Sequence, residues 1–274
     1  MTWIEALILG IVQGLTEFLP VSSSGHLQVF KELLGVGGTR DLTFEVLVHA
    51  ATVCSTIVVL RKEISTLLQG LFRFKLNEET LFLFKIFISM LPVAIVGLCF
   101  KEQVESIFGE GLNIVGTCLL LTACLLAFAY YAKPLSDKLR KPKSQTKADI
   151  SFVDALIIGI SQAIAVLPGL SRSGATIATG ILLGNNKEKV AKFSFLMVLV
   201  PILGEALLDV VKVVKVGTGG VETTHSLVPL LIGFIAAFIT GLLACRWMLN
   251  LVAKGNLKWF ALYCAALGLL VLVW

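Results

Sequence analysis

Gln13-Gly14-Leu15-Thr16-Glu17-Phe18-Leu19-Pro20-Val21-Ser22-Ser23-Ser24-Gly25-His26 interrupts an apolar stretch where a membrane-spanning helix would have to continue. Residues 4–19 read as a helix that stops at Pro20, since proline lacks an N–H and its ring clashes with the preceding turn. A short apolar stretch then runs from the serines to Gly35. Neither half reaches the ~20 residues that cross a bilayer. The polar Ser-Gly break therefore falls at membrane depth, where irregular backbone is tolerated only inside protein or beside a wet cavity. This predicts a re-entrant helical hairpin; the other reading is a kinked spanning helix followed by an interfacial segment.

The same design recurs. Residues 154–167 end at Pro168-Gly169, followed by Leu170-Ser171-Arg172-Ser173-Gly174 and a stretch to Gly184. An ungapped shift of 149 residues lays Glu5-Ala6-Leu7-Ile8 on Asp154-Ala155-Leu156-Ile157, Gly10 on Gly159 and Gln13 on Gln162. It also lays Ser22-Ser23-Ser24-Gly25 on Ser171-Arg172-Ser173-Gly174, and Leu33-Leu34-Gly35 on Leu182-Leu183-Gly184. Chance supplies apolar matches readily, but not these glycines, the glutamine and the serines together.

The remaining sequence supplies spanning segments. The chain has 274 residues, 57% hydrophobic and 15% charged, with a mean hydropathy of +0.91. A soluble domain of this size needs more charge to cover its surface. Runs at 43–60, 82–100, 112–131, 190–211, 227–245 and 257–274 are long enough to cross, some with tilt. The expected fold is an all-α integral membrane protein forming a single domain over 1–274. It has six transmembrane helices plus two re-entrant hairpins, in an inverted-topology repeat of 1–148 and 149–274. Three crossings after each hairpin place the second on the opposite face, so both tips meet near the midplane.

The net charge of +5 is not a nucleic-acid signal, because the basic residues lie in short loops and report orientation. One side collects Arg61, Lys62, Arg73, Lys75, the basic residues of 133–147, Lys187, Lys189, Lys192, Arg246, Lys254 and Lys258; the other has Lys31, Arg40, Lys101, Lys212 and Lys215. The rich side is expected to be cytoplasmic, with both termini and the mouth of the first hairpin facing outward. The run from Lys138 to Lys147 is a topology signal that also suits anionic headgroups. Nothing resembles a cleaved signal peptide: the apolar start lacks a basic n-region, and Gln13 and Glu17 interrupt it. Cys54, Cys99, Cys118, Cys124, Cys245 and Cys264 sit in apolar runs without CxxC spacing, so free packing thiols are expected.

At the midplane the hairpins bring together Gln13, Glu17, Ser22, Ser23, Ser24 and His26 from the first, and Ser171, Arg172, Ser173 and Thr176 from the second. Charges at membrane depth are costly and mark a functional site; a structural Glu17–Arg172 ion pair is the alternative, and the two are compatible. Each hairpin starts a short helix just after its serines, and a helix start favours an anion. Hydroxyls add donors, and Arg172 grips two phosphate oxygens at once. Two such starts and one arginine suit a diphosphate. Ser23, His26 and Glu17 supply a nucleophile, a proton carrier and an orienting or metal-binding carboxylate. Glu17 with Gln13 is suited to a divalent ion held through oxygen. Glu45 and His49, one turn apart, read as a hydrogen-bonded pair in the bundle, although the same cavity is within their scope. Glu205 and Asp209 repeat that spacing near the outer interface, and His225 reads as a solvated loop residue.

At these residues the chain resembles the undecaprenyl-diphosphate phosphatase family, the bacterial bacitracin-resistance proteins. The segment from Gln13 to His26 is similar to that family's Glu/Gln-x-x-x-Glu motif with its downstream Ser and His. Pro168-Gly169-Leu170-Ser171-Arg172-Ser173-Gly174-Ala175-Thr176 is similar to its Pro-Gly-x-Ser-Arg-Ser-x-x-Thr motif. The likeness covers essentially the whole chain, and Gln13 for the first Glu is a variant the pattern allows. The resemblance implies a phosphoric anhydride hydrolase converting undecaprenyl diphosphate to the monophosphate and inorganic phosphate, which recycles the carrier lipid for peptidoglycan and cell-wall synthesis and confers resistance to the antibiotic bacitracin. It implies a bacterial inner (plasma) membrane location, a Mg2+ or Ca2+ requirement and a site open to the periplasmic or outer face. It implies Ser23 as nucleophile and His26 as proton-transfer partner, Glu17 with Gln13 as the metal or water-positioning group, and Arg172 with Ser171, Ser173, Thr176 and Ser22 as the phosphate clamp. Whether serine, histidine or water attacks phosphorus stays open. The partners expected are the polyprenyl diphosphate and the bilayer, with no nucleic acid; a homodimer is compatible with this reading.

Two other functions compete. Inverted repeats with broken helices are common in transporters, so a flippase of prenyl phosphate using the same site is the alternative. Such a protein has no use for a proton-transfer arrangement at Ser23 and His26. Type 2 phosphatidic acid phosphatases share a Ser-Gly-His triplet and a Ser-Arg pair, but their later His with an Asp four residues on is missing, since His225 is followed at that spacing by Pro229.

Overall fold

The computed structural model describes residues 1–36, 42–73, 75–100, 103, 111–139, 149–216, 227–254 and 257–274, with side chains described except at 42–43, 133–139, 202, 205–216 and 253–254. Glu205, Asp209, His225 and the run from Lys138 to Lys147 lie outside the described side chains.

The described residues form eleven α-helices and no strand. In chain order these are α1 Trp3–Thr16, α2 Ser23–Leu33, α3 Leu42–Val59, α4 Arg61–Leu71, α5 Glu78–Cys99 and α6 Leu112–Leu139. They continue with α7 Phe152–Ile164, α8 Arg172–Leu182, α9 Lys187–Val216, α10 Leu227–Lys254 and α11 Lys258–Val273. Helices α1 and α7 start alike, each on a capping box: Thr2 with Glu5, and Ser151 with Asp154. Gly35 and Gly184, at φ 69° and 82°, stand just past α2 and α8, in the left-handed conformation that ends a helix and that glycine adopts freely.

Small residues decide which helices approach. A Cβ on Gly10 would lie 2.4 Å from the Gly233 carbonyl oxygen, and one on Gly14 would lie 2.0 Å from Thr240 Oγ1. This seats α1 on α10 at backbone distance, a packing that membrane helices use where no hydrophobic force separates protein from lipid. Gly159 does the same for α7 against α5, where its Cβ would lie 2.3 Å from the Ser89 carbonyl oxygen. The largest core cluster includes Phe18, Ile86, Ile158, Ile177, Phe193 and Met248, so the first break is anchored among α5 and helices of the second half.

Among the described residues three helices are apolar and long enough to cross a membrane: α5, residues 112–132 of α6, and residues 227–252 of α10. Only 22%, 44% and 33% of these windows are buried within the molecule; the apolar remainder faces outward, as a bilayer rather than water requires. The expected span at 43–60 continues past Leu60 into α4 with a bend of 77°. Arg61–Leu71, expected to be a basic loop, is a helix because Ile64 and Leu67 pack on the core while Arg61, Lys62 and Glu63 remain at its start. The expected span at 257–274 is the 16-residue α11, about 24 Å long at 1.5 Å per residue. The six cysteines are free, with Cys118, Cys245 and Cys264 buried.

Candidate active site

The two breaks touch. Ser173 Oγ donates to the Leu19 carbonyl oxygen at 3.0 Å, a Cβ on Gly25 would lie 3.1 Å from Gly169 Cα, and one on Gly174 would lie 3.2 Å from Pro20 Cβ. Helix α6 braces the second break: Thr122 Oγ1 accepts from the Ser171 N–H at 3.1 Å. Gly169 is held at φ 88°, where a Cβ would lie 2.6 Å from the Val115 carbonyl oxygen. Backbone conformation and space both call for glycine there.

The first break carries the charge. Glu17 terminates α1 with its side chain 8% exposed. Its Oε2 accepts the Ser23 hydroxyl at 2.5 Å and the Gln13 amide N–H at 2.9 Å. His49 of α3 places Nε2 3.8 Å from the same oxygen, and the charge of Arg172 acts on this carboxylate from the opposite break. His49 Nδ1 lies 2.8 Å from the Glu45 carbonyl oxygen. A carbonyl only accepts, so Nδ1 carries the proton and Nε2 is the atom turned to Glu17.

Ser22 is the only non-glycine residue among those described with a positive φ, at 68°, a conformation that costs about 1–3 kcal/mol and persists only where its surroundings enforce it. Its counterpart Ser171 sits at φ −77°, ψ 114°, ordinary extended backbone. Both serines cap the helix that follows, Ser22 Oγ accepting from the Gly25 N–H at 3.3 Å and Ser171 Oγ from the Gly174 N–H at 3.0 Å.

The residues singled out from sequence divide into three groups. Gln13, Glu17 and Ser23 form one hydrogen-bonded set, with Arg172, partly exposed at the start of α8, in electrostatic range. Ser171, Ser173 and Thr176 are buried and engaged with the fold: Ser171 caps α8, Ser173 ties the breaks together, and Thr176 Oγ1 donates to the Arg172 carbonyl oxygen at 2.9 Å. His26 is placed differently from the expected Ser23 partner. Its Nδ1 lies 2.8 Å from the Ser22 carbonyl oxygen and its Nε2 2.7 Å from the Tyr263 hydroxyl, whereas Ser23 donates to Glu17. The ion pair of Glu45 is with Lys31.

Sequence reading names His49 as a partner of Glu45 with the same cavity in reach, and the structure turns it to Glu17; one residue of this region, Tyr263, escaped that reading. Tyr263 gave no signal, since it lies 237 positions from His26 in an apolar helix. Among the described residues no group of three or more His, Cys, Asp or Glu gathers as a metal site, while Gln13 Oε1 is buried without a hydrogen-bond partner.

Residues 6–270 match the family described as bacitracin resistance protein BacA. The chain is 57% identical over 273 residues to an undecaprenyl-diphosphatase of Bacteroides thetaiotaomicron, covering 100% of this chain and 99% of the relative. It is 50% identical over 271 residues to one of Christiangramia forsetii, covering 98% and 97%, and 41% identical over 268 residues to one of Methanococcus vannielii, covering 98% of each. Matched over nearly its whole length, the chain belongs to the bacitracin resistance protein family.

Proposed function

We propose that this chain is a membrane phosphatase that hydrolyses undecaprenyl diphosphate to undecaprenyl phosphate and inorganic phosphate. The relatives named undecaprenyl-diphosphatase support the substrate, and the observation that carries the chemistry is the Ser23 hydroxyl donating to the buried Glu17 carboxylate at 2.5 Å. In this reading Glu17 takes the proton as Ser23 Oγ bonds to the terminal phosphorus, and the bridging P–O bond breaks to release undecaprenyl phosphate. Water then cleaves the phosphoseryl bond and frees inorganic phosphate. Arg172 and the N–H groups at the starts of α2 and α8 hold the phosphate oxygens as charge develops. His26, bonded to Ser22 and Tyr263, orients the break.

The donor set suits a hard divalent cation. Gln13 Oε1 is an unpartnered buried acceptor beside Glu17, and magnesium or calcium sites are completed by substrate phosphates and water where few protein ligands gather. Gln13 and Glu17 would hold the ion. When bound, it neutralises charge on the diphosphate oxygens.

The halves 1–148 and 149–274 are read as an inverted repeat, with α1–α2 and α7–α8 as the re-entrant hairpins. The reciprocal packing of α1 on α10 and α7 on α5 supports this. The basic side, where Lys192 of α9 meets Glu63 of α4 at 3.3 Å, is read as cytoplasmic, with the hairpin site opening to the outer face of the inner membrane. The test is phosphate release by the purified, magnesium-supplied chain given undecaprenyl diphosphate. Release by the wild type and its loss in Ser23→Ala is expected; a wild type that binds this lipid without releasing phosphate sinks the reading and returns the flippase.

A further inference from the structure

The strained turn at Ser22 has a brace that begins at the far end of the chain. The Tyr263 hydroxyl of α11 lies 2.7 Å from His26 Nε2, and the two rings stack at 5.6 Å with 11° between their planes. His26 Nδ1 lies 2.8 Å from the Ser22 carbonyl oxygen. Because that oxygen only accepts, the proton of neutral His26 sits on Nδ1, and Nε2 is the acceptor of the tyrosine O–H. The order is therefore Tyr263 O–H to His26 Nε2, then His26 Nδ1–H to the carbonyl of Ser22. Ser22 is the one non-glycine residue at positive φ among those described, and the next residue is Ser23, whose hydroxyl reaches Glu17.

The second break is a control built into the same chain. At the positions 149 residues from Ser22, His26 and Tyr263 stand Ser171, Ala175 and Ile114. The second break thus lacks the histidine and the tyrosine, and its serine sits at an unstrained φ of −77°. Strain and strap occur together in one break and are absent together from the other.

We propose that Tyr263 is a positioning residue: through His26 it fixes the left-handed turn at Ser22 and so aims the Ser23 hydroxyl at Glu17. The proposal rests on the hydrolase reading for its kinetic consequence but not for its geometry. In this role Tyr263 touches no substrate, and its loss lowers kcat while leaving KM near the wild-type value, because the nucleophile is aimed less well.

The test uses the full-length chain in lipid nanodiscs with 15N-labelled histidine. With only three histidines in the sequence, His26 is assignable by comparison with His26→Ala. Tyr263→Phe keeps the ring and removes only the hydroxyl. The strap predicts that this variant moves the His26 Nε2 resonance and lowers kcat about tenfold, within the roughly hundredfold that a 1 Å misplacement costs. Glycine at position 22 adopts the turn without a strap, so in a Ser22→Gly background the Tyr263→Phe change is expected to lower kcat by less than about twofold. The same tenfold loss in both backgrounds, or an unmoved Nε2 resonance in Tyr263→Phe, overturns the strap. If Ser22→Gly is itself inactive, the resonance alone decides. A wild type that releases no phosphate refutes the hydrolase reading instead, and the resonance still tests the strap.

Discussion

Gln13 and Gln162 stand 149 residues apart, both fully buried, and each leaves its amide oxygen without a partner. Four residues on from each, the breaks diverge. The first has Glu17, to which Gln13 donates; the second has Val166, and the Gln162 amide turns to Met90 Sδ at 3.9 Å. The first break then carries Ser23 and His26 where the second carries Arg172 and Ala175. One framework, made of a capped helix, a proline stop, a serine cap and a second short helix, is used twice. Glu17, Ser23 and His26 are confined to one copy and Arg172 to the other. Under the proposed mechanism this division keeps the arginine from pairing with a glutamate of its own break and lets a diphosphate come between the two.

The sharpest way to break this division is to compare Glu17 with Gln162. Glu17→Gln retains shape but removes the proton acceptor, and phosphate release is expected to fall about 10³-fold, the middle of the range for general-base loss. Gln162→Met removes an unsatisfied buried amide, and release is expected to stay within about threefold of wild type. Comparable losses at both sites would mean that the two breaks share the chemistry. A second comparison is Arg172→Lys against Arg172→Ala. Alanine is expected to lower kcat/KM about 10²-fold, in line with loss of one charge-stabilising donor, and lysine by less, since it keeps the charge but not the two-pronged grip. Equal losses would show that the planar fork, and not the charge, carries the function.

The breaks were legible in the sequence because each is marked by residues with a local physical meaning. Proline ends a helix, serine caps the next one, and glycine closes it at Gly35 and Gly184; these rules act within a few positions. What escaped depends on distance. Tyr263 reaches His26 only through the packing of α11, which no local pattern encodes. The Ser23–Glu17 bond follows from the unusual φ of Ser22, and nothing in the run Ser22-Ser23-Ser24 distinguishes the strained serine from its neighbours. The helix Arg61–Leu71 was hidden by its charged start, whereas its apolar side, Ile64 and Leu67, finds the core only because the chain bends by 77° after α3.

A smaller effect separates Ser173 from Ser24, its counterpart in the first break. Ser173 donates across the contact to the Leu19 carbonyl oxygen, while among the described residues Ser24 Oγ meets only Ser22 Oγ, at 3.4 Å. Ser173→Ala is therefore expected to lower stability by about 1 kcal/mol, the net worth of one hydrogen bond, and Ser24→Ala by a few tenths at most. Denaturant unfolding in mixed micelles measures both. Equal values would mean that the breaks are joined by packing alone.

Beyond the capping box that both segments share, their starts differ. Only α7 is preceded by an ion-paired carboxylate, Asp149, which accepts from Lys85 Nζ at 2.7 Å and lies 3.7 Å from Lys189 Nζ. Burial pushes the Asp149 carboxyl up, but the hydrogen bond from Lys85 and the charges of Lys85 and Lys189 outweigh it and hold the group below its ordinary value of 3.8. A carboxyl whose pKa is lowered on folding adds stability that is fully present above the unfolded value and is lost as pH falls through the folded one. The loss therefore lies below about pH 4, not near neutrality. With the Asp149 side chain 54% exposed, solvent screening limits the contribution to about 0.5 kcal/mol. Asp149→Asn is expected to forfeit that increment at pH 7 and to lose its deficit relative to the wild type as pH falls below about 4, measured by denaturant unfolding at neutral and at acid pH. An equal deficit at both would assign the anchoring to the shape of the side chain, and the difference between the two segment starts would cease to be electrostatic.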